Sequence, residues 1–478
     1  MRNVSHPINP LSALWQRVPL LTLPLTCLLL SSCSQLGNDV INMKSDVVMP
    51  KEWQTRITSE ETAHSWVAKF NDPHLTRLVK EALEKNYSLK ASAERIRQLK
   101  EAELIEKVNN RPTLNTGAGA STGSDFREFD LEDIKDSVRY TLAPATRWEV
   151  DLWGRNKNEY EQAKSNTASA QSDLHAARLS IAANTAKAYF NLVSAQNSLK
   201  LAKETLAHYK RSFTIIERNY RAGVQGTDAL DVQFGKNNIT SAERQLTVAE
   251  LNVTRTSQAL QILLARYPSG TLKANRKLPS PIRSLPSTLP AGIIEQRPDL
   301  ISARAGLYRS TKEIVIRKKA LLPSISLRSS TSNGSSTSIK ELLDLSTLTW
   351  TVAASLSYEL FDSGRKKAAV EQAMSLHKAA IYNYSEDVLN ACREVEFAYQ
   401  SDRSLAKQAS LLQDEVKVAG LAEKQAERNY ADGLENASIL SVLESQRRAV
   451  NARSGLIRIR NQRLQNQVDL FVALGGKP

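Results

Sequence analysis

Side chains that could carry chemistry are few in this sequence, and their spacing does not favour catalysis. No two histidines stand at the spacing of metal ligands, and there is no His-Glu-x-x-His motif, glycine-rich phosphate loop or Gly-x-Ser-x-Gly elbow. We therefore predict that the protein is not an enzyme and holds no metal ion or cofactor. We interpret the histidines beyond residue 33 as surface or packing residues: His64, His74, His175, His208 and His377.

Cys33 is the residue for which a covalent modification is expected. Arg2 and Arg17 precede the apolar residues 18–30, and this order is typical of a secretory signal that is too short to remain as a membrane-spanning helix. The residues Leu30-Ser31-Ser32-Cys33 resemble the bacterial lipobox, whose cysteine is acylated and becomes the new N-terminus. We predict lipid on Cys33, and Ser34 in place of an aspartate implies the outer membrane. An ordinary signal peptide with a chance cysteine, or an uncleaved anchor, is the alternative.

The formal net charge of +14 allows a nucleic acid or an anionic surface as a partner. The basic residues are, however, spread among acidic ones, as in Glu423, Lys424, Glu427 and Arg428, and no dense basic run contains interleaved aromatics. An exported lipoprotein would also not meet chromosomal DNA. We therefore predict that the protein has no nucleic-acid partner.

The chain contains one unit twice, with an offset of about 210 residues. Glu217-Arg218-Asn219-Tyr220 recurs as Glu427-Arg428-Asn429-Tyr430, and a glycine follows three residues later in both copies. Further upstream, Trp148-Glu149 corresponds to Tyr358-Glu359, and Pro112 corresponds to Pro323 with an offset of 211. A unit of this length is too long for a solenoid repeat, so the sequence predicts two pseudo-equivalent halves.

Each repeat contains a stretch in which apolar and polar residues alternate, at residues 138–152 and 350–360. Strict alternation predicts strands, and these are longer than the usual five or six residues and fit barrel strands of about nine to eleven residues in a membrane. Weaker partner strands, at residues 114–122 and 325–331, complete two β-hairpins. Four strands cannot close a barrel in lipid, where the known minimum is about eight, so at least two chains must share one barrel.

The segments that follow the hairpins are too long for helices of a compact domain. No glycine or proline lies between Gly154 and Gly223, and residues 365–432 form an equally long helix-favouring stretch. Each predicted helix is on the order of 100 Å long, and a return helix follows at residues 227–266 and 439–474. Such helices require a coiled-coil or tubular assembly. A periplasmic coiled-coil scaffold lipoprotein is the alternative, but it leaves the strands unexplained.

These features divide the chain into an N-terminal signal, a tail and two repeats. A proline-rich stretch at residues 267–290 is typical of an extended connector between the repeats. We expect the lipidated tail, which contains Trp66, to run along the outside of the assembly. The predicted parts are a signal peptide at 1–32, the tail at 33–75, repeat 1 at 76–285 and repeat 2 at 286–478.

Taken together, motifs along nearly the whole mature chain resemble the TolC-like outer-membrane efflux proteins, and specifically their NodT-type lipoprotein branch. The match depends on the combination and order of the motifs, because each one alone is weak. The motifs are Leu30-Ser31-Ser32-Cys33, Asn71-Asp72-Pro73-His74-Leu75, Trp148-Glu149-Val150-Asp151-Leu152-Trp153-Gly154-Arg155, Gln296-Arg297-Pro298-Asp299-Leu300, Leu321-Leu322-Pro323-Ser324-Ile325 and Ala473-Leu474-Gly475-Gly476.

The resemblance implies an α+β fold in which an all-α periplasmic tunnel continues a transmembrane β-barrel. It implies a homotrimer in which three chains of four strands form a 12-stranded barrel. It also implies the function of a passive exit duct in a tripartite pump, with a periplasmic adaptor and an inner-membrane transporter as partners and outer-membrane lipid around the barrel. Drugs, metal ions or other small solutes are the expected cargo, and type I protein secretion is the alternative function.

The resemblance further implies sites at the two turns between the long helices and their return helices. Leu440-Ser441-Val442-Leu443-Glu444 resembles a family stretch that narrows the closed pore, with glutamate in place of aspartate. Leu440 and Glu444 are therefore predicted at the constriction, where three copies of Glu444 would form an acidic ring; a solvated glutamate is the alternative. Both turns are about two residues longer than the family pattern. The adaptor is expected to contact Arg218, Tyr220, Gly223, Arg428, Tyr430 and Gly433.

Overall fold

The computed structural model divides the chain into two compact units. The first contains Asn109–Glu159 and Ser310–His377, and the second contains Asp46–Val108, Tyr160–Arg309 and Lys378–Pro478. The predicted signal, the Cys33 site and Gly433 lie outside the described residues. The structure describes residue 53 and residues 65–121, 139–224, 227–274, 277–283, 285, 292–293, 296–333, 348–432, 434 and 438–476.

The first unit contains an antiparallel sheet of four strands in the order β1-β2-β3-β4. The predicted hairpins are confirmed, with small differences at their ends. β2 stops before Leu152, whose N–H turns back to the carbonyl of Val150, and β4 starts two residues earlier and ends three residues earlier than predicted. The strands are β1 (Thr113–Ser121), β2 (Arg139–Val150), β3 (Ser324–Asn333) and β4 (Leu348–Ser357).

The sheet has one apolar and one polar face, because successive side chains of a strand point to opposite sides. On the apolar face, Trp148 lies opposite Leu327, and Leu356 lies opposite Ile325. On the polar face, small hydroxyl side chains meet, and Ser326 Oγ lies 2.7 Å from Ser355 Oγ. The apolar face is uncovered in the single chain, which means that it requires lipid or protein against it.

Seven α-helices have both ends in the described part of the chain, in addition to a short 3-10 helix at Ala68–Phe70, and the long ones begin and end close to the predicted residues. The two longest have 67 residues each and the two return helices 35 each, so the duplication extends to helix length. The helices are α1 (Pro73–Lys85), α2 (Tyr87–Asn109), α3 (Arg155–Arg221), α4 (Ala229–Leu263), α5 (Pro298–Lys319), α6 (Arg365–Ala431) and α7 (Ile439–Ala473).

The two long helices begin in the same way in both repeats. Asp151 accepts the N–H groups of Asn156 and Lys157 at the start of α3, and Asp362 accepts those of Gly364 and Lys366 at the start of α6. These carboxylates satisfy donors that have no partner inside the helix. The recurring Glu and Arg of the repeat motif also pair, at 2.8 Å for Arg155–Glu149 and 3.0 Å for Arg365–Glu359.

The largest core of the second unit contains an aromatic cluster to which the N-terminal segment contributes. Trp66 is 1% exposed and stacks on Phe471 with ring centroids 5.8 Å apart. Tyr189 Oη donates to Asp72 Oδ2 at 2.7 Å, so the residue that caps α1 also contacts this cluster. The expectation of an exterior tail is therefore wrong for Trp66, because a large apolar ring next to Phe70 and Phe471 gains more from burial than from solvent.

The connector is held by a buried glutamine. Gln467, which is fully buried, donates from Nε2 to the carbonyl of Ile282 at 3.0 Å and accepts the N–H of Ile282 on Oε1 at 2.9 Å. The same Nε2 also donates to Asp402, whose carboxylate pairs with Arg463. One side-chain amide thus satisfies both the backbone N–H and the backbone carbonyl of Ile282, which has no strand partner in the connector.

The Gln-Arg-Pro-Asp motif forms a structural junction in the second unit. The Arg297 side chain is 9% exposed and pairs with Asp299 at 2.7 Å and Glu394 at 2.8 Å, and its Nη1 donates to the carbonyl of Ala473. Burial alone would raise the pKa of Asp299, but the hydrogen bonds and charge of Arg297 outweigh it and hold that pKa below its usual range. Gly475, with a φ of 70°, lies against the Gln296 backbone, where a Cβ atom would come within 2.7 Å of the carbonyl oxygen.

Candidate functional site

The turn of repeat 1, residues 218–227, contains a left-handed backbone position that is occupied by its glycine. Gly223 has a φ of 64°, a left-handed conformation that favours glycine. The Val224 N–H donates to the carbonyl of Asn219 at 3.0 Å, which satisfies one of the last carbonyls of α3. Asp228 then caps α4 in a capping box with Asp231.

The turn of repeat 2, residues 428–438, uses the same contact with a different cap. The Leu434 N–H donates to the carbonyl of Asn429 at 3.1 Å, which matches the contact of the first turn. The next helix, α7, is capped by Ser438, whose Oγ accepts the Leu440 N–H. Each turn therefore joins a long helix to its return helix, α3 to α4 in repeat 1 and α6 to α7 in repeat 2.

The two tyrosines of the repeated motif have different environments. Tyr430 is 9% exposed and packs in an apolar cluster with Ile216, Ile439 and Val442, whereas Tyr220 is 45% exposed. Identical local sequence thus gives one buried and one exposed ring. Of the two tyrosines among the predicted adaptor contacts, the structure places Tyr220 at the surface and Tyr430 in the packing between the repeats.

Arg218 and Arg428, the two arginines of the motif, are both exposed. Among the described residues, neither guanidinium lies within ion-pair distance of a carboxylate, whereas the neighbouring Glu217 pairs with Arg221 at 2.8 Å. Each of these two guanidiniums therefore presents its positive charge to solvent in the single chain. Such charge suits a polar or acidic partner surface.

Glu444 lies in the first turns of α7 with two arginines bound to it. Arg447 Nη2 lies 2.7 Å from Glu444 Oε2, and Arg448 Nε lies 2.8 Å from Oε1. The hydrogen bonds from Arg448 and then Arg447 hold the pKa of Glu444 below its ordinary value. One carboxylate and two guanidiniums leave one net positive charge per chain here, so three copies would not form a purely acidic ring. Leu440, the other predicted constriction residue, is 57% exposed.

A buried polar contact lies beside Glu444 that the sequence did not suggest. Gln446 is 1% exposed, and its Nε2 donates to Ser212 Oγ at 2.9 Å and to Glu427 Oε1 at 2.8 Å. It therefore joins α7 to both long helices. The ion pairs of Glu444, which the sequence analysis missed, could have been predicted from its spacing of three and four residues from Arg447 and Arg448, which is typical of helical ion pairs.

The open face of α7 is polar from one end to the other. Positions three or four apart share a face of a helix, and at the positions that packing leaves open no large apolar residue follows Leu440. This polar stripe suits contact with water. It consists of Glu444, Arg447, Asn451, Ser454, Arg458, Gln462 and Asp469.

The open face of α6 has the opposite character. Large apolar side chains stand along it in two groups, residues 382–397 and 411–421, and each is between 59% and 71% exposed. A row of this length does not remain against water in a stable protein, so it indicates a covering surface. The row consists of Tyr382, Leu389, Phe397, Leu411, Val418 and Leu421.

The described residues offer no centre for metal chemistry. No group of three or more His, Cys, Asp or Glu side chains among them is placed to hold a metal ion. His377 is buried with Nδ1 2.8 Å from Ser310 Oγ, and burial lowers its pKa, so it packs as a neutral ring. In the same part of the chain, none of the helices is both long and apolar enough to cross a membrane.

Comparison with known proteins matches both repeats to one family. The family model described as outer membrane efflux protein covers residues 78–266 and 289–476. The cation efflux system protein CusC of Escherichia coli is 27% identical over 86% of this chain and 88% of its own length. For the probable outer membrane lipoprotein SilC of Salmonella typhimurium the values are 25%, 86% and 87%. For the pyoverdine export outer membrane protein OpmQ of Pseudomonas aeruginosa they are 26%, 95% and 96%.

A solved structure agrees with the fold. The crystal structure of CusC, described in terms of folding and transmembrane channel formation, superposes with a TM-score of 0.79. The alignment covers 90% of this chain and 99% of the CusC chain at 23% identity. At this identity the likeness establishes the architecture of the chain, namely four strands and paired long helices.

Proposed function

Because the chain belongs to the outer membrane efflux protein family, we propose that three copies of it form the exit duct of a tripartite efflux pump. As a family member it is an outer-membrane transport component. In the proposed assembly, three four-stranded sheets close one barrel, and the long helices enclose a periplasmic passage. A periplasmic adaptor and an inner-membrane transporter complete the pump and supply its energy.

The opposite chemistry of two open helix faces carries this proposal. The face of α7 is polar along its length, from Glu444 to Asp469, and the face of α6 carries six exposed large apolar side chains between Tyr382 and Leu421. A polar face suits the wall of a water-filled passage. An apolar face suits burial against a neighbouring chain. A tube shared by several chains requires helices with one polar face towards the passage and one apolar face towards the neighbouring chain. An isolated coiled-coil scaffold does not require both kinds of face.

Export of small solutes is the function that the relatives favour over protein secretion. CusC is named for cation efflux and OpmQ for pyoverdine export, and the two are similar to this chain at almost the same identity. We infer that the duct itself selects little and that the transporter determines the cargo. Type I protein secretion by the same duct is the second candidate.

Anchoring by lipid at Cys33 is also part of the proposal. SilC carries the word lipoprotein in its name, and Leu30-Ser31-Ser32-Cys33 has the order of a lipobox. The lipid would hold the N-terminal segment at the inner leaflet of the outer membrane. The barrel would anchor the chain independently.

The test is native mass measurement of the full chain extracted from outer membranes, combined with deletion of the gene. We expect a mass of three copies, and we expect deletion to raise susceptibility to a drug, metal ion or other small toxic solute. A mature chain that is monomeric and stays soluble without detergent would support a periplasmic scaffold instead. A deletion strain with unchanged tolerances that fails to release one protein would support secretion.

A further inference from the structure

The return helix of the second repeat, α7, is strongly basic, whereas its counterpart α4 is not. α7 contains six arginines, no lysine and two acidic residues, and α4 contains three basic and three acidic residues. The excess positive charge therefore belongs to the second repeat and occurs once in each chain. The six basic residues are Arg447, Arg448, Arg453, Arg458, Arg460 and Arg463.

Four of the six arginines have a carboxylate partner in the second unit. Arg453 Nη2 lies 2.5 Å from Glu423 Oε2, and Arg463 Nε lies 3.2 Å from Asp402 Oδ1, so both arginines join α7 to α6. The first two arginines of the helix share Glu444. These four arginines therefore take part in ion pairs within the single chain.

Arg458 and Arg460 are the other two arginines, and both are exposed. Among the described residues, neither guanidinium lies within ion-pair distance of a carboxylate. The two arginines stand two positions apart in the sequence, which places them about 200° apart around the helix axis. They therefore present the same charge on opposite sides of one helix.

The two sides of α7 have different surroundings. Arg460 borders a cleft of about 800 Å³ that the connector lines with Pro279 and Pro281. Arg458 stands on the polar stripe, in line with Glu444 and Asn451 at intervals of seven residues, which is close to two helical turns. A connector packed on one side of α7 leaves the stripe as the side that can face an open passage.

We propose that Arg458 of three copies forms a cationic ring inside the duct and that this ring favours the passage of anionic solutes. This inference rests on the proposed duct and adds the class of charge that passes most readily. Rings of arginine or lysine are a known means by which pores favour anions. The position that corresponds to Arg458 in the first repeat is Val248, so the ring has one charge from each chain.

The acidic residues of the polar stripe do not cancel the charge of Arg458. Glu444 is already paired, and it lies 14 residues away, about 21 Å along the helix, whereas the Debye length is about 10 Å at 0.1 M salt. In the other direction, Asp469 pairs with Lys187. Because an arginine side chain stays protonated in proteins, the charge of the ring is also independent of pH.

The chemistry of the guanidinium indicates which anions benefit most from the ring. Its planar group binds a carboxylate or a phosphate through two parallel hydrogen bonds. The ring of Arg458 therefore suits organic solutes that carry a carboxylate or a phosphate. The transporter still determines which solutes enter the duct, and the ring changes only how readily each class of charge passes.

Ion selectivity of the full chain in planar bilayers tests the ring. Arg458→Gln should lower the chloride-to-potassium permeability ratio severalfold at about 0.1 M KCl, and the change should shrink at about 1 M, where the Debye length is about 3 Å. The matched control is Arg460→Gln, which removes the same charge from the other side of the same helix and should leave the ratio at the parental value. Potassium phosphate in place of KCl should give the same order of variants.

A chemical rescue tests the same position in an assembled channel. In a parent with Cys392→Ser, Arg458→Cys removes the charge, and a positively charged methanethiosulfonate reagent then attaches one positive charge to the thiol. We expect this reagent to return the permeability ratio towards the parental value and a negatively charged reagent to lower it further. The same reagents should modify Arg460→Cys without changing the ratio, and the parent reports any reaction at Cys33.

Native mass measurement of the parent and of each variant separates the two ways in which the inference can fail. A trimeric channel whose permeability ratio is unchanged by Arg458→Gln, or is lowered equally by Arg460→Gln, would overturn the ring and leave the duct standing. A parent chain that is monomeric and gives no conductance would overturn the proposed function together with the ring.

Discussion

Tyr430 Oη of the second repeat lies 3.5 Å from Thr227 Oγ1 of the first, so the two turns contact each other through a pair of hydroxyls. The ring of Tyr430 fills a small cluster with Ile216 and Ile439. Its counterpart Tyr220 has no comparable burial. The turns are therefore linked on one side only, and the first helical turns of α7 depend on Tyr430 for their packing.

Tyr430→Ala should loosen the start of α7, whereas Tyr220→Ala should not. Removing a buried ring costs about 3–5 kcal/mol in a full core, and less is expected in this small cluster near the surface. Faster amide hydrogen exchange over residues 439–446 should report the change. In planar bilayers, the Tyr430 variant should also open more often than the parent. Equal exchange in the two alanine variants would assign Tyr430 no special role.

Glu444→Gln should make the reconstituted channel more selective for anions. The substitution leaves Arg447 and Arg448 without their carboxylate, so each chain gains one positive charge at this level. The shift in reversal potential should weaken with salt, because the Debye length falls from about 10 Å at 0.1 M to about 3 Å at 1 M. Replacing both arginines by glutamine should shift selectivity towards cations.

A matched control for Glu444 is Glu94→Gln, because Glu94 pairs with Arg97 at the same helical spacing of three residues. That substitution makes the same chemical change on another helix and should leave ion selectivity at the parental value. If Glu444→Gln and Glu94→Gln behave alike, Glu444 belongs to a solvated helix face and not to the passage.

Selectivity should be flat with pH until well into the acid range. The pKa of Glu444 is lowered by Arg448 and Arg447, so the carboxylate stays ionised as pH falls from about 7 to about 5. Its ion pairs are fully present above the unfolded pKa and are lost as pH falls through the lowered folded pKa. Anion preference should then increase. Reversal potentials recorded between about pH 7 and the acid range test this prediction. A change of selectivity near neutral pH that disappears in the Glu444→Gln variant would contradict it.

Arg297→Ala should destabilise the second unit by about 1–3 kcal/mol, measured as the free energy of unfolding in denaturant. The Arg297 side chain is buried, but Asp299 and Glu394 are 52% and 46% exposed, so water can solvate the carboxylates that remain. The control Arg97→Ala removes an exposed pair and should cost less than about 0.5 kcal/mol. Similar losses in the two variants would mean that the junction at Ala473 contributes nothing.

Local pattern was sufficient for most of the fold. Alternation identified the strands, and the long helix-favouring stretches after Gly154 and Gly364, which together contain one glycine, Gly420, identified helices whose ends the structure places within a few residues. Both signals depend on neighbours in the sequence, since strand faces repeat every two residues and helices tolerate few glycines. Because the unit is duplicated, each pattern occurs in both repeats, and the two copies support each other.

Long-range packing was not accessible in the same way. Tyr220 and Tyr430 stand in the same four-residue motif, and only the contacts of Tyr430 with Ile216 and Thr227 distinguish them. Trp66 looked like part of an exterior tail because its stacking partner, Phe471, lies at the other end of the chain. Such contacts depend on the tertiary arrangement, which periodicity does not encode.

Cys33→Ala should abolish acylation and leave assembly intact. Attachment of lipid requires the cysteine, so metabolic labelling with palmitate should disappear from the protein, while the proposed barrel still holds the chain in the membrane through strands β1 to β4. Native mass measurement of the extracted variant should give three copies, as for the parent. Cys392→Ser is the matched control, since it removes a thiol outside the lipobox and should keep the label. A variant that keeps its label would refute lipidation at Cys33, and one that becomes a soluble monomer would show that lipid, not the sheet, retains the protein in the membrane.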